Sequence, residues 1–411
     1  MILGVKDRPS FGKWLVLSLQ HVFAMFGATI LVPLLTGLDT GVALLTSGVG
    51  TLIYILCTKG KVPIYLGSSF AYIAAVTTAV SLGGFSAAFV GIILVGLIYI
   101  AIALIIKFTG TKWLHHLLPP VVIGPMIIII GLGLAPVAIG NIGLTGTFDW
   151  KVFLVATVTF VTTVLVALKA KGFLKVIPFI VAIGIGYALS AVLGIVDWTV
   201  FEGIHFFQLP NFTIFGTYEL NFSALLIFLP LSFVTISEHI GDHVVLSEIV
   251  GTDFLTEPGL DKTLMGDGVA TLFAGLIGGP ANTSYGENTS VVGITKVASV
   301  WVTGLAAVIA ILLGFFGYIQ AFIASIPWAV IGGITVVLYG FIAGNGVKVL
   351  VKNRVDLGNI RNLIIVATML VLGLGGATIS FNAVAGLSGM SLAAIIGIIL
   401  NLALPYERKE S

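Results

Sequence analysis

Residues 280–296, Pro280-Ala-Asn-Thr-Ser-Tyr-Gly-Glu-Asn-Thr-Ser-Val-Val-Gly-Ile-Thr-Lys296, decide how this chain is read. The stretch is polar, holds proline and glycine, and carries one carboxylate, Glu287, with no basic residue nearer than Lys296. Apolar runs flank it on both sides. Irregular polar backbone at membrane depth is tolerated only where protein buries it or where it lines a cavity. The stretch is therefore expected to be half of a substrate site. The partner half is expected at Ser237-Glu-His-Ile-Gly-Asp-His243.

Composition places the whole chain in the membrane. Of 411 residues, 58% are hydrophobic and 9% charged, with mean hydropathy +1.17. A soluble domain carries about 25% charged residues. The 51 glycines fit closely packed and interrupted membrane helices. One cysteine, Cys57, excludes an internal disulfide. The first apolar run, from Trp14 to about Thr36, is too long for the core of a cleavable signal, and none is expected.

Working outward, apolar runs able to span or half-span a bilayer fall at 14–36, 41–57, 68–81, 86–107, 117–138, 152–168, 173–195, 221–247, 265–279, 284–295, 298–319, 327–345, 361–375 and 388–405. The third and tenth are too short to cross as simple helices. Let the N-terminus be cytoplasmic and the chain alternate sides. Then 18 of the 19 basic residues fall inside, from Lys6, Arg8 and Lys13 to Arg408 and Lys409, and only Lys151 falls outside. Asp39, Asp149, Asp197, Glu202 and Glu219 fall in outer loops. This is the positive-inside bias. It implies fourteen segments with both termini cytoplasmic, in the cell (inner) membrane.

The chain also repeats itself. Gln20-His21 recurs as Glu238-His239, and Gly48-Val-Gly-Thr-Leu52 as Gly268-Val-Ala-Thr-Leu272. Pro63, before Gly67-Ser-Ser-Phe70, matches Pro280, before Tyr285-Gly-Glu287. Pro119-Pro-Val-Val-Ile-Gly124 matches Pro327-Trp-Ala-Val-Ile-Gly332. The offsets are 218, 220, 217 and 208. Seven segments is an odd number, so the second copy enters upside down. A 7+7 inverted repeat with interrupted helices at the midplane is an architecture of secondary transporters. The expected fold is an all-α polytopic membrane protein with short antiparallel strands in segments 3 and 10.

The acids inside the membrane are Glu238, Asp242, Asp267 and Glu287, and such acids are costly and usually functional. Glu238 and Asp242 are four apart and share a helix face. His239 and His243 form a second such pair, rotated by about 100°. Two carboxylates side by side in low dielectric do not both stay ionised, which makes Glu238 and Asp242 a proton-coupling device, with His239 and Asp267 as further members. The alternative for Glu238 and Asp242 is simple pairing with His239, His243 or backbone. No HExxH motif is present, so no metal and no cofactor are expected. If segments 3 and 10 are strands entering half-helices, their free N–H groups converge on one spot. Two carboxyl acceptors, backbone donors and the rings of Phe70 and Tyr285 suit a planar amide-like ring.

These residues resemble the nucleobase–ascorbate transporter family, and within it most closely the bacterial uracil permeases, which are uracil:proton symporters. The likeness spans nearly the whole chain. The family signature is similar to Glu287-Asn-Thr-Ser-Val-Val-Gly-Ile-Thr-Lys296, except that Ser290 stands at a glycine position. Gln20-His21 and Glu238 match family positions, and Leu66-Gly-Ser-Ser-Phe-Ala71 resembles the third-segment strand. The resemblance implies a core domain of segments 1–4 (14–107) and 8–11 (221–319). It implies a gate domain of segments 5–7 (113–196) and 12–14 (324–405). A base would sit between them against Glu238, Glu287, Ser69, Phe70, Gly286 and Tyr285, with Tyr339 on the gate.

The implied function is proton-coupled uptake of uracil by alternating access, with a nucleobase, protons and lipid as partners, a homodimer as an open expectation, and no nucleic acid. One departure points elsewhere. Asp242 stands where uracil permeases carry histidine and purine carriers often carry aspartate, so the alternative is proton symport of xanthine or urate. A membrane enzyme would need a nucleophile–base pair or metal set, and none is visible. A channel or anion exchanger is the remaining class.

Overall fold

Glycine, proline and a few caps cut the apolar sequence into its elements. The computed structural model describes residues 1–411 except 112, 114–116, 118, 214–221, 378, 381–385, 388 and 406–411. Lys112, Glu219, Arg408 and Lys409, used in the charge pattern, lie outside the described residues. Helix α1 (Phe11–Thr36) ends at Gly37, whose φ of 76° lets its N–H close on the Pro33 carbonyl. Asp39 caps α2 (Thr40–Cys57) by accepting the Val42 N–H at 2.8 Å. Strand β1 (Leu66–Ser68) passes through a 3-10 turn at Phe70–Tyr72 into α3 (Ile73–Thr109). Within α3, Gly83 (φ −157°) and Gly84 (φ 68°) break the helical path. The third and fourth apolar runs are thus two arms joined without a loop.

The chain continues through α4 (Pro120–Gly133), α5 (Ala135–Asn141), α6 (Trp150–Lys169) and α7 (Pro178–Val192). The second half opens with α8 (Phe222–Val250) and α9 (Leu260–Leu276). Strand β2 (Asn282–Ser284) leads into α10 (Gly286–Thr295). There follow α11 (Val300–Gly314), α12 (Gly317–Ala324), α13 (Trp328–Lys352), α14 (Ile360–Leu374), the short pair β3 (Ile379–Ser380) and β4 (Gly386–Leu387), and α15 (Gly389–Ala403).

The fourteen apolar runs all appear as elements, with shifted ends. Helix α13 continues past 345 to Lys352, because Lys348 and Lys352 end the apolar run but not the helix; long basic side chains reach water from a helix end. Helix α9 begins at Leu260 rather than 265, with Asp261 in its first turn, where the helix dipole favours an acid. The eleventh run splits into α11 and α12 around Phe315–Phe316. The pair β3–β4 was not expected, since two-residue strands are too short to show a period.

Packing repeats as the sequence does. The arm of α3 beyond Gly84 lies along α9, and α11 lies along α2. Under the repeat, α2 matches α9 and that arm matches α11, so one contact is made twice. Likewise α1 packs on α11 as the arm of α3 packs on α8, and α6 packs on α7 as α14 packs on α15. Helices α4 and α13, which match each other, cross at Gly124, Gly131 and Gly346, where backbones nearly touch. Two large apolar cores result, beside smaller clusters. One is built from α4, α8, α9, α14, α15 and the arm of α3; the other from α1, α2, α6, α7, α11 and α13. The repeat exchanges them. Many large apolar side chains stay exposed, among them Leu56, Phe108, Val192 and Val351, as a lipid-facing surface requires.

The two ends are segregated as alternation demands. At one end Ile2–Val5 hydrogen-bonds along Lys296–Val300, and Lys61 pairs with Glu257 at 2.6 Å, holding that carboxyl below its usual range. At the other end the Asn211 N–H reaches Asp39, and residues 206–213 bond to the ends of α9 and α11.

Candidate functional site

Strands β1 and β2 pair antiparallel, Leu66 with Ser284, Gly67 with Thr283 and Ser68 with Asn282. A two-stranded ribbon leaves outer edges to satisfy in a dry interior. Two threonines and a serine do so. The Thr51 hydroxyl accepts the Leu66 N–H at 2.9 Å, and the Ser47 hydroxyl donates to the Leu66 carbonyl at 2.7 Å. The Thr271 hydroxyl accepts the Asn282 N–H at 3.2 Å and donates to the Asn282 carbonyl at 3.1 Å. Thr51 and Thr271 are the threonines of the repeated Gly-Val-x-Thr-Leu segment. Gly67 is required where the Tyr285 ring lies against its Cα.

The helices that leave this ribbon present their N-termini. The first N–H groups of a helix have no intrahelical partner. Gly286 and Glu287 open α10, and Phe70 opens the turn into α3. A methyl group placed on Gly286 would meet only Asp242 Oδ1, at 3.9 Å. Glu238 and Asp242 share a face of α8 and are both half-buried, as is Glu287. Asp242 interacts electrostatically with Glu238, Glu287 and Asp267. Buried hydroxyls without partners among the described residues lie at the ribbon and on α13: Ser68 Oγ, Ser69 Oγ and Tyr339 Oη. Phe70 is half-buried and packs on the core cluster that contains Tyr285 and Tyr339. The arrangement offers acceptors on α8 and α10, backbone donors at two helix starts, and hydroxyls and a ring between them. It can bind a small polar planar molecule with both donor and acceptor edges.

Behind this face lies a second polar layer. His239 Nδ1 sits 2.7 Å from Asp267 Oδ2, and its Nε2 is 3.0 Å from Thr263 Oγ1, all wholly buried. Ser284 of β2 joins the pair, with Oγ 3.3 Å from His239 Nδ1. His243 is buried beside His239, its ring centroid 3.9 Å away, and bonds to Tyr54 of α2.

Glu238, Asp242, Glu287, Gly286, Ser69 and Phe70 gather around the ribbon and α8. His239 and Asp267 stand one layer back. Tyr285 is put to a different use from an open stacking face: it is 2% exposed, its hydroxyl donates to the Ser68 carbonyl at 2.9 Å, and it accepts from Thr29. It clasps β1 to β2. Ser290 causes no crowding, since it faces outward and its hydroxyl donates to the Gly286 carbonyl at 2.9 Å. Sequence reasoning missed Tyr54, Thr51 and Thr271. The threonines lay inside a repeat match, whereas nothing near Tyr54 hints at a partner on α8. An apolar cavity of about 210 Å³, lined by Ile142, Phe153, Ala156, Phe160, Gly333 and Val336, lies between α6 and α13, apart from these acids.

The fold is one found in membrane transporters of known structure. The transmembrane domain of the cyanobacterial bicarbonate transporter BicA superimposes with TM-score 0.67 over 95% of this chain and 97% of its own, at 17% identity. The murine Slc26a9 anion transporter superimposes with TM-score 0.73 over 97% of this chain and 68% of its own, at 12% identity. At that identity only the fold is shared. The Permease family matches residues 12–381, and the chain belongs to it. It is 48% identical to the uracil permease of Bacillus caldolyticus over 98% of this chain and 95% of that one. It is 43% identical to the uracil permease of Escherichia coli (strain K12) over 97% and 93%. Its relatives are transporters, not enzymes.

Proposed function

We propose that the protein carries uracil into the cell by proton-coupled alternating access. The observation that carries this reading is the pair of carboxylates Glu238 and Glu287 flanking the free amides of a broken-helix ribbon, in a chain 42–48% identical to curated uracil permeases. Neutral uracil presents two ring N–H donors and two carbonyl acceptors. The donors suit Glu238 and Glu287; the carbonyls suit the N–H groups of Phe70 and Gly286 and the hydroxyl of Ser69. Acids this close repel in low dielectric, and an arriving proton or ligand N–H relieves the repulsion. Proton binding at Glu238 or Asp242, backed by His239–Asp267, thereby favours the rocking of residues 14–107 and 221–319 as a core against 113–196 and 324–405 as a gate bearing Tyr339. The orientation has both termini in the cytoplasm, at the inner membrane.

Radiolabelled uptake in cells lacking their own carrier tests this. Uracil accumulates, and unlabelled uracil competes better than xanthine or urate. Accumulation of xanthine with no uracil transport would favour the purine reading, which Asp242 keeps in view. Glu238→Gln abolishes accumulation driven by a proton gradient; normal accumulation in that variant removes Glu238 from coupling.

A further inference from the structure

Tyr54 and His243 are wholly buried, and their bond allows the hydrogens to be assigned. His243 Nδ1 lies 2.7 Å from the His239 carbonyl. A carbonyl only accepts, so Nδ1 carries a hydrogen. The Tyr54 hydroxyl meets His243 Nε2 and has no other partner among the described residues. A cationic ring would donate from Nε2 and leave the tyrosine hydrogen buried without an acceptor, which is unfavourable. A neutral ring with Nδ1–H satisfies every group. The titratable groups around it are Tyr54 and Cys57 from α2, His239 from its own helix and Asp267 from α9. The carboxyl contact of the layer is made by the other histidine, His239, with Asp267.

We propose that Tyr54 and His243 form a positioning pair. It fixes α8 against α2 at the turn that presents Glu238 and Asp242, with His243 as a neutral Nδ1–H ring that carries no transported proton. Residues four apart on α8 stack one turn above another. Pinning His243 to Tyr54, and His239 to Asp267 and Thr263, therefore sets the rotation of the helix and the aim of the two acids on its neighbouring face. The inference rests on the transporter reading for its functional consequence, but the state of the histidine does not depend on which base is carried.

The test uses the full chain with ¹⁵N-labelled histidine in lipid nanodiscs. The resonances missing from His243→Gln belong to His243. They are expected to show a protonated Nδ1 and a bare Nε2 from about pH 5 to about pH 8. In proteoliposomes, Tyr54→Phe is expected to raise the uracil KM for exchange about tenfold, with protons moved per uracil unchanged. His243→Gln, whose amide still bonds to Tyr54, is expected to keep proton-driven accumulation. The double variant is expected to lose no more than the worse single one. A cationic ring within that pH range overturns the proposal, and so does a His243→Gln protein that exchanges uracil but no longer accumulates it. If the native chain neither binds nor moves uracil, the substrate reading falls, and the histidine resonances still decide the positioning role. Should Tyr54→Phe fail to fold, the resonances and His243→Gln remain decisive.

Discussion

The matched threonines show how single atoms hold the site. Thr51 and Thr271 each accept the N–H of one strand residue, Leu66 and Asn282, and Thr271 also donates to the Asn282 carbonyl. Valine has nearly the same shape without the hydroxyl. Thr51→Val or Thr271→Val leaves a buried amide unpaired and is expected to cost about 1–3 kcal/mol, read as an earlier unfolding midpoint in detergent, with Thr→Ser largely restoring it. A valine variant as stable as the native chain would show that the ribbon edge finds another partner. Glu238, Asp242 and Glu287 were legible in the sequence because an acid in an apolar run has few other reasons to be there. Tyr54 was not, because a tyrosine in an apolar run is ordinary packing until the fold brings His243 to its hydroxyl.

At the scale of elements, two interrupted helices are the device, and two glycines in the first serve opposite needs. Gly84 adopts φ 68° with nothing within 4 Å of an added methyl. With ψ at −171°, Gly84 sits in a region essentially confined to glycine, so Gly84→Ala costs only backbone strain, about 1–3 kcal/mol, and leaves transport affinity unchanged. Gly67 faces the Tyr285 ring. Gly67→Ala pushes the clasp off β1, so it lowers both stability and uracil affinity. Uptake kinetics and melting curves of the two variants separate strain from clash; equal loss of affinity in both would refute the distinction. The breaks themselves were legible as runs too short to span. The register of β1 with β2 was not, since three-residue strands carry no periodic signal. The threefold use of Tyr285, against Gly67, Ser68 and Thr29, was hidden for the same reason.

At the scale of the molecule, the repeat places equivalent helices in equivalent contacts and exchanges the two apolar cores. Under the proposed alternating access, such a molecule would open in two related ways, one toward each side. Ser290 is exposed on α10, so a Cys57→Ala, Ser290→Cys protein reports which side reaches the site. Labelling by a membrane-impermeant thiol reagent is expected to change with uracil and to reverse preference when the proton gradient is inverted. Labelling indifferent to both uracil and gradient would count against alternating access.

The sequence by itself determined the membrane environment, the fourteen segments, the inverted repeat and which acids lie within apolar runs. Each of these is written in local composition or in recurrence at a fixed offset, and low dielectric makes every polar exception informative. Only the tertiary structure decided which polar atoms meet. It set the threonine edges of the ribbon that joins the stretch 280–296 to β1, the buried layer of His239 and Asp267, and the bond from Tyr54 to His243 across 189 positions. Those contacts depend on crossings between distant helices, and helical period along one segment holds no information about the segment that will lie against it.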